Sequence, residues 1–396
     1  MKILFLTSRI PYPPHRGDKL KIWNLMKELS ARHSITLITF VASRRELQWE
    51  KHLSEVCEEV RFVHLPVWRS VLNCVAASWR QVPFQVAYYS SSRMDKLVRE
   101  VLMQSKPDVV HTHLIRMAQY THAMSDRPRV LDLTDAVSLY LERILQVQKN
   151  PIARVAIKAE LKRMTKYERI LEDFNIALVC SQVDKSRLLQ SAPKSRIGLM
   201  HNGVDLNHFV QRNSLQTDEA RIIFTGNMSY YPNRDAARYF AETIFPLVRK
   251  RIPEARLWIV GQNPPRKINA LSAGNITVTG FVEDIAAEYL KSAVAVSPVR
   301  FGAGTLNKVL EPLALGVPVV TTSIGIQGLN LEENKEVFVA DDPVKFAESV
   351  IRLLQDPVLR RESGHRAMQS IRSRFGWNKI ALDLERTYQE IIEGKV

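Results

Sequence analysis

The sequence predicts two successive doubly wound α/β domains, and three observations lead there. First, the apolar run Lys2–Ser8 is followed by a loop rich in Pro and Gly. An amphipathic stretch from Leu20 and a second apolar run, Ile35–Val41, complete a βαβ unit. Second, the same alternation starts afresh at Arg221–Gly226, after a polar connection over Ile197–Thr217. Third, 396 residues overfill one compact domain and suit two of ~150–200.

The elements follow in order. Lys2–Ser8 is continuous in apolar residues, the pattern of a parallel strand buried on both faces. The helix after it carries Ile22, Leu25, Met26 and Leu29 on one face. Strands are expected at Val60–Leu65, Asp108–His113, Arg129–Leu133 and Ile176–Ser181, with a helix around Ser92–Gln104. In the second half, strands at Arg221–Gly226, Ala255–Gly261, Ile276–Gly280, Ala293–Ser297, Pro318–Thr322 and Val337–Ala340 alternate with helices at Asp235–Arg249, Glu283–Leu290 and Val344–Leu354. Helices at Pro357–Arg374 and Trp377–Ile392 close the chain. The expected division is 1–197 for the first domain, 198–376 for the second, and 377–396 for a terminal helix packing back on the first.

Composition sets limits. Cys57, Cys74 and Cys180 are odd in number and scattered, which fits a reducing compartment and offers no metal-ligand spacing. The net charge of +15 favours anionic partners. The basic residues are dispersed and no nucleic-acid motif is present, which argues against nucleic acid as a partner. No run of ~18 apolar residues is available to span a membrane, and Met1–Thr7 lacks a signal h-region. A cytoplasmic protein is expected.

Two segments interrupt the alternation. Val67–Tyr89 places Trp68, Val71, Leu72, Val75 and Trp79 at helical spacing beside Arg69 and Arg80. That is either a helix packed on its own domain or an interfacial helix on acidic lipid. Lys149–Arg169 carries seven basic residues against Glu160 and Glu168. It reads as a solvated face or as a contact with a membrane or polyanion.

Ligands of open α/β sheets bind beyond the carboxyl ends of the strands. This selects Arg16–Asp18, His111, His113 and Thr134–Asp135 in the first half. In the second it selects Gly226–Asn227, Gly261, Phe281–Asp284 and Arg300–Glu311. No GxGxxG follows the first strand, and no GxxxxGK[ST] occurs. The densest stretch is Val299–Thr322, where Gly302 and Gly304 precede a helix with Thr305 as its expected N-cap and Gly316 as its stop. The glycine pair alone would also suit a tight structural turn. Arg300, Lys308 and the helix N-terminus together make a phosphate site the better reading. Lys308 and Glu311 share a helix face, so Glu311 suits the hydroxyls of a ribose, or the two form a Lys–Glu surface pair. In His111-Thr-His113 both rings fall on one side of the strand. A metal would need a third ligand that the spacing does not show; each ring alone suits a core, and one at a strand end suits a substrate hydrogen bond.

Taken together, PPHRGDK, VVHTHL, HNGVD, FTGNMSYYPN, GFVEDI and FGAGTLNKVLEPLALGVPVVTT resemble the family-4 glycosyltransferases of GT-B fold over the whole chain. The nearest resemblance is to the branch associated with exopolysaccharide and exosortase gene clusters. The resemblance implies two Rossmann-like domains facing each other across a cleft. It implies sugar transfer with retention from a nucleotide-diphosphate donor to a hydroxyl of a lipid-linked or polysaccharide acceptor, with no metal or other cofactor. Gly17 would lie against the donor diphosphate and His113 against the donor sugar. Arg300 and Lys308 would neutralise the departing diphosphate, aided by Gly302, Gly304, Thr305 and Leu306. Glu311 would hold the ribose, Val282 would lie by the base, and Gly226 would line the donor site. Two departures stand out: Ala303 replaces the first of the family's paired glutamates, and Arg234 takes the place of a lysine after the first strand of the second domain. The other readings are a GT-B nucleotide-sugar epimerase and a non-catalytic scaffold of a polysaccharide assembly complex. An anionic membrane surface is a further candidate partner, giving peripheral attachment on the inner face of the cell membrane.

Overall fold

The structure, a computed structural model, describes residues 1–124, 126–212, 215–302 and 306–395. It divides into two compact units: unit 1 is Met1–His201 with Asn378–Val396, and unit 2 is Asn202–Trp377. Unit 1 is built on seven strands among the described residues: β1 (Lys2–Thr7), β2 (Ser34–Val41), β3 (Glu59–His64), β4 (Val109–His113), β5 (Arg129–Thr134), β6 (Ile176–Val179) and β7 (Ile197–Leu199). Their order is β3-β2-β1-β4-β5-β6-β7, and every ladder is parallel. Unit 2 has β8 (Asp218–Thr225), β9 (Arg256–Val260), β10 (Ile276–Gly280), β11 (Ser292–Ser297), β12 (Val319–Thr321) and β13 (Phe338–Val339). These are ordered β10-β9-β8-β11-β12-β13, again all parallel.

Both sheets are the expected Rossmann-like arrangement. In each the strand order reverses beside the first strand, between β1 and β4 in unit 1 and between β8 and β11 in unit 2. That topological switch point is where such sheets bind ligands.

The apolar strands are explained by burial on both faces. Along β8, Ile222 and Phe224 enter one core with Ile259, Val294 and Phe346. Ile223, between them, enters the opposite core with Val260, Leu310 and Leu313. Unit 1 repeats this with Leu4, Leu6 and Val110 against Met94 and Val98, and Leu131 and Val179 against Met164 and Leu188. Each such side chain contributes about 1.5–3 kcal/mol on burial.

Two local differences from the sequence reading matter. The helix expected from Asp235 begins at Tyr231, because Pro232 is accepted in the first turn, where its missing N–H costs nothing. The helix Val67–Ala77 buries Ser70 and Ala77, the small side, while its large apolar residues face solvent. Trp68 is 65% exposed, Leu72 57%, and Trp79 just beyond the helix 83%. Packing of that face on its own domain is therefore overturned for the described residues. The basic helix Pro151–Tyr167 meets the same region, since Arg163 donates to the Ser78 carbonyl and Glu160 accepts from the Phe84 N–H. Its Ile152 and Val155 are also exposed.

Candidate functional site

At the switch point of unit 1, β1 leads into the helix Gly17–Ser30 and β4 ends on His113. Gly17 opens that helix, and a Cβ built there meets nothing within 4 Å. Packing therefore does not account for this glycine, and the space a side chain would enter there is open. The parallel register of β4 on β5 sets His113 beside Asp132. His113 Nδ1 lies 3.1 Å from Asp132 Oδ2, and Lys21 Nζ lies 2.8 Å from Oδ1. All three are essentially buried. Burial would raise the Asp132 carboxyl, but Lys21, His111 and His113 outweigh it and hold it well below the carboxylate range. Burial likewise opposes the Lys21 charge, and Asp132 restores it, leaving the ammonium raised.

An ionised Asp132 can only accept, so His113 carries its proton on Nδ1 and its neutral form presents Nε2 as a lone pair. That Nε2 is buried and has no partner among the described residues. An unsatisfied acceptor of this kind costs about 1–3 kcal/mol until a donor such as a sugar hydroxyl reaches it. Backbone strain marks the same place. Leu114 and Thr134 follow His113 and precede Asp135 with φ of 73° and 67°. This region is costly for a branched side chain and is typical of ligand clamps. Asp135 itself has no hydrogen bond or ion pair among the described residues, and burial followed by Asp184 pushes its carboxyl up to about 7.

His111 points to the same side of the strand but has another role. Its Nδ1 bonds the Tyr388 hydroxyl at 2.7 Å, and it is fully buried. The third ligand that the sequence spacing did not show is Asp132: its carboxylate and the two imidazoles place ligand atoms within 4.8 Å of one another. Yet the Lys21 ammonium already occupies the cation position at Asp132, and His111 Nδ1 is spent on Tyr388. The donor set fits a hydrogen-bonded network better than a metal.

Unit 2 builds its site on the β8 and β11 ends. Gly226 follows β8, and a Cβ there would stand 2.7 Å from Asn233 Nδ2. Gly261, at φ +150°, would drive its Cβ to 1.8 Å from the Gly226 carbonyl oxygen. These two glycines let Asn233 reach inward, where it donates to the Asn227 carbonyl at 2.9 Å and accepts from Lys308 Nζ. Lys308 also lies over the Phe224 ring, at 5.1 Å. Burial lowers its ammonium to about 7 against the opposing field of Glu311. Burial raises Glu311 to about 7 as well, against its hydrogen bond from the Tyr289 hydroxyl and the Lys308 charge. A Lys308–Glu311 surface pair is not formed: both are half-buried and each has a different partner.

The helix Asn307–Ala314 carries Lys308 in its first turn, with Gly316 in the left-handed conformation after it. Its N-cap is Leu306, which has no side-chain oxygen to offer, one position beyond the expected Thr305. The first-turn N–H groups are therefore uncapped by any side chain at that position. Ala303, Gly304 and Thr305 lie outside the described residues. Gly302 is buried. Arg300 forms a bidentate pair with Asp235, 2.9 and 2.6 Å, and lies over the Tyr239 ring. Its charge is largely answered within the protein. Arg234 makes no ion pair among the described residues and sits over Tyr231. Val282 is half-buried against the core and leaves Phe281 exposed.

Sequence reasoning missed Lys21, Asp132 and the hydroxyl of Tyr388. One signal was available: an aspartate inside the apolar strand RVLDLT is almost never buried without a partner.

Residues 219–356 match the family described as glycosyl transferases group 1, so this segment carries a glycosyltransferase group 1 domain. An uncharacterized 44.6 kDa protein in the cps region of Klebsiella pneumoniae is 21% identical over 395 residues, covering 96% of this chain and 97% of that protein. Among solved structures, sucrose-phosphate synthase from Thermosynechococcus elongatus superposes with a TM-score of 0.75 at 16% identity, over 100% of both chains. HepE from Anabaena, in complex with UDP, gives 0.70 at 14% identity, over 98% of this chain and 100% of HepE. At such identities the likeness speaks to the fold: two Rossmann-like domains, as in GT-B glycosyltransferases.

Proposed function

We propose that this chain is a retaining glycosyltransferase of family 4. It would move a sugar from a nucleotide-diphosphate donor to a hydroxyl of a lipid-linked or polysaccharide acceptor, in cell-surface or exopolysaccharide synthesis. The observation that carries the proposal is Lys308, held by Asn233 at the β8/β11 switch point in the first turn of a helix with no capping side chain. A cation in the first turn of a helix suits a diphosphate. The UDP bound by HepE and the cps-region setting of the Klebsiella relative favour the same reading.

In this reading unit 2 holds the nucleotide. Lys308 stabilises the charge that develops on the leaving diphosphate, and Arg234 adds to it, while Arg300 holds Asp235 in place. Glu311 receives the ribose hydroxyls, and Val282 lies by the base. Unit 1 supplies the His113 Nε2 lone pair to a sugar hydroxyl, and Gly17 leaves room for the phosphates. The reaction is proposed to need no metal, because fixed cations of the protein take that role. The acceptor is proposed to lie at an anionic membrane surface, gripped by the exposed tryptophan face of Val67–Ala77 and the basic helix beside it.

The deciding experiment is a thermal-shift panel of UDP-, GDP- and ADP-sugars, followed by turnover with the best of them. At 100 times its dissociation constant, a donor adds about 2.7 kcal/mol of stability. Stabilisation by one nucleotide class and transfer to an added glycan acceptor are expected. No shift with any donor overturns the proposal, and release of free nucleotide without an acceptor points to an epimerase.

A further inference from the structure

Three arginines in unit 1 converge on a single carboxylate. Arg9 Nη1, Arg16 Nε and Arg116 Nη2 lie 3.4, 3.5 and 3.7 Å from the two oxygens of Asp18. Burial alone would raise the Asp18 carboxyl, but Arg16, Arg9 and Arg116 hold it below its usual range. It is therefore charged, and among the described residues it is the one carboxylate in ion-pair contact with the three arginines, while Asp135 lies in the field of Arg116. The guanidiniums are oriented by neutral groups: Arg9 Nε donates to the Tyr89 hydroxyl at 2.9 Å and Arg116 Nε to Ser8 Oγ at 3.0 Å. Arg116 also lies over the Tyr89 ring. Its side chain is only 16% exposed.

Partly buried cations that outnumber their carboxylates are costly unless an anion completes the set. Guanidinium forks match a phosphate in both geometry and charge.

We infer that Arg9, Arg16 and Arg116 form a subsite for a phosphate or diphosphate carried by the acceptor. This rests on the glycosyltransferase reading, in which Lys308 and the Asn307–Ala314 helix of unit 2 answer the leaving diphosphate of the donor. The acceptor class narrows accordingly: a glycan attached through a phosphate is taken, and a neutral sugar or polysaccharide end is taken poorly.

The probe is inorganic pyrophosphate, titrated calorimetrically into the intact protein with and without saturating UDP, or whichever nucleoside diphosphate the donor panel selects. Wild type saturated with the nucleotide is expected to bind one pyrophosphate. The double variant Arg9→Gln/Arg116→Gln should weaken that binding about tenfold or more. Lys250→Gln/Arg251→Gln, which removes two exposed cations of unit 2, should leave it unchanged. Arg16 is more than half exposed, so Arg16→Gln keeps the test available if the double variant folds poorly. It should weaken binding about three- to fivefold. Displacement of pyrophosphate by the nucleotide would overturn the inference, because the arginines would then serve the donor. Equal binding by the arginine variants and wild type would overturn it too. If no nucleoside diphosphate binds, the glycosyltransferase reading fails, whereas pyrophosphate binding in the absence of nucleotide still decides whether the arginines hold an anion.

Discussion

Replacing Lys308 with methionine removes the charge that lies over the Phe224 ring but keeps an apolar stem of similar length. The ammonium is half-buried and bonded to Asn233, and its one opposing charge, Glu311, makes no ion pair with it. In the free protein burial has lowered it to about 7. A diphosphate restores the proton. A charge-assisted contact of this kind contributes about 1.5–3 kcal/mol, which is roughly a 10- to 150-fold change in dissociation constant. Near pH 7 half of the free protein must first take up the proton, and RT ln 2 trims about 0.4 kcal/mol from the measured effect. The linkage has a definite sign: binding takes up protons, so donor affinity is greatest below pH 7 and falls as pH rises through 7 towards 9. Calorimetric titration of the preferred nucleoside diphosphate at pH 6, 7, 8 and 9 measures both effects. Wild type should weaken about tenfold or more across that range, and Lys308→Met should be weak and nearly flat. The ligand-free variant should melt no lower than wild type, because a lysine depressed in the folded state costs stability as pH falls below its unfolded value near 10.5. A variant within threefold of wild type at pH 6, or a wild type with no pH dependence, would refute the phosphate assignment.

Gly17→Ala should leave stability unchanged or raised, by about 0.4–1 kcal/mol, since the new methyl meets no neighbour. Donor affinity should nevertheless fall, and unchanged affinity would remove Gly17 from the site. Asp132→Asn strands the buried Lys21 ammonium and should cost about 3–5 kcal/mol in urea unfolding. A loss under 1 kcal/mol would contradict the network. Because the Asp132 carboxyl is lowered on folding, its stabilisation is complete above the usual carboxylate range and lost only as pH falls through its depressed value. Trp68→Ala/Trp79→Ala should abolish sedimentation with anionic liposomes without changing the melting temperature, since both rings face solvent. Sedimentation with neutral liposomes just as well, or insensitivity to salt, would count against a membrane role.

The sequence by itself determined the two parallel sheets. Runs such as KILFLT and RIIFT are apolar at every position because both faces of their strands are covered, a pattern legible without any knowledge of neighbours. It also singled out strand ends and the glycines beside them, Gly17, His113, Gly226 and Lys308 among them, because these are local features. What it could not supply were partners distant in sequence. Lys21, Asp132 and Tyr388 meet around the histidines only because β4 lies beside β5 and the chain returns to unit 1 after Trp377. Arg9 and Arg116 reach one carboxylate, Asp18, from segments a hundred residues apart. Periodicity showed that the Val67–Ala77 helix has one apolar side, but the tertiary structure turned that side outward. A repeat of 3.6 residues tells faces apart, and only the packing of the rest of the chain decides which face meets water.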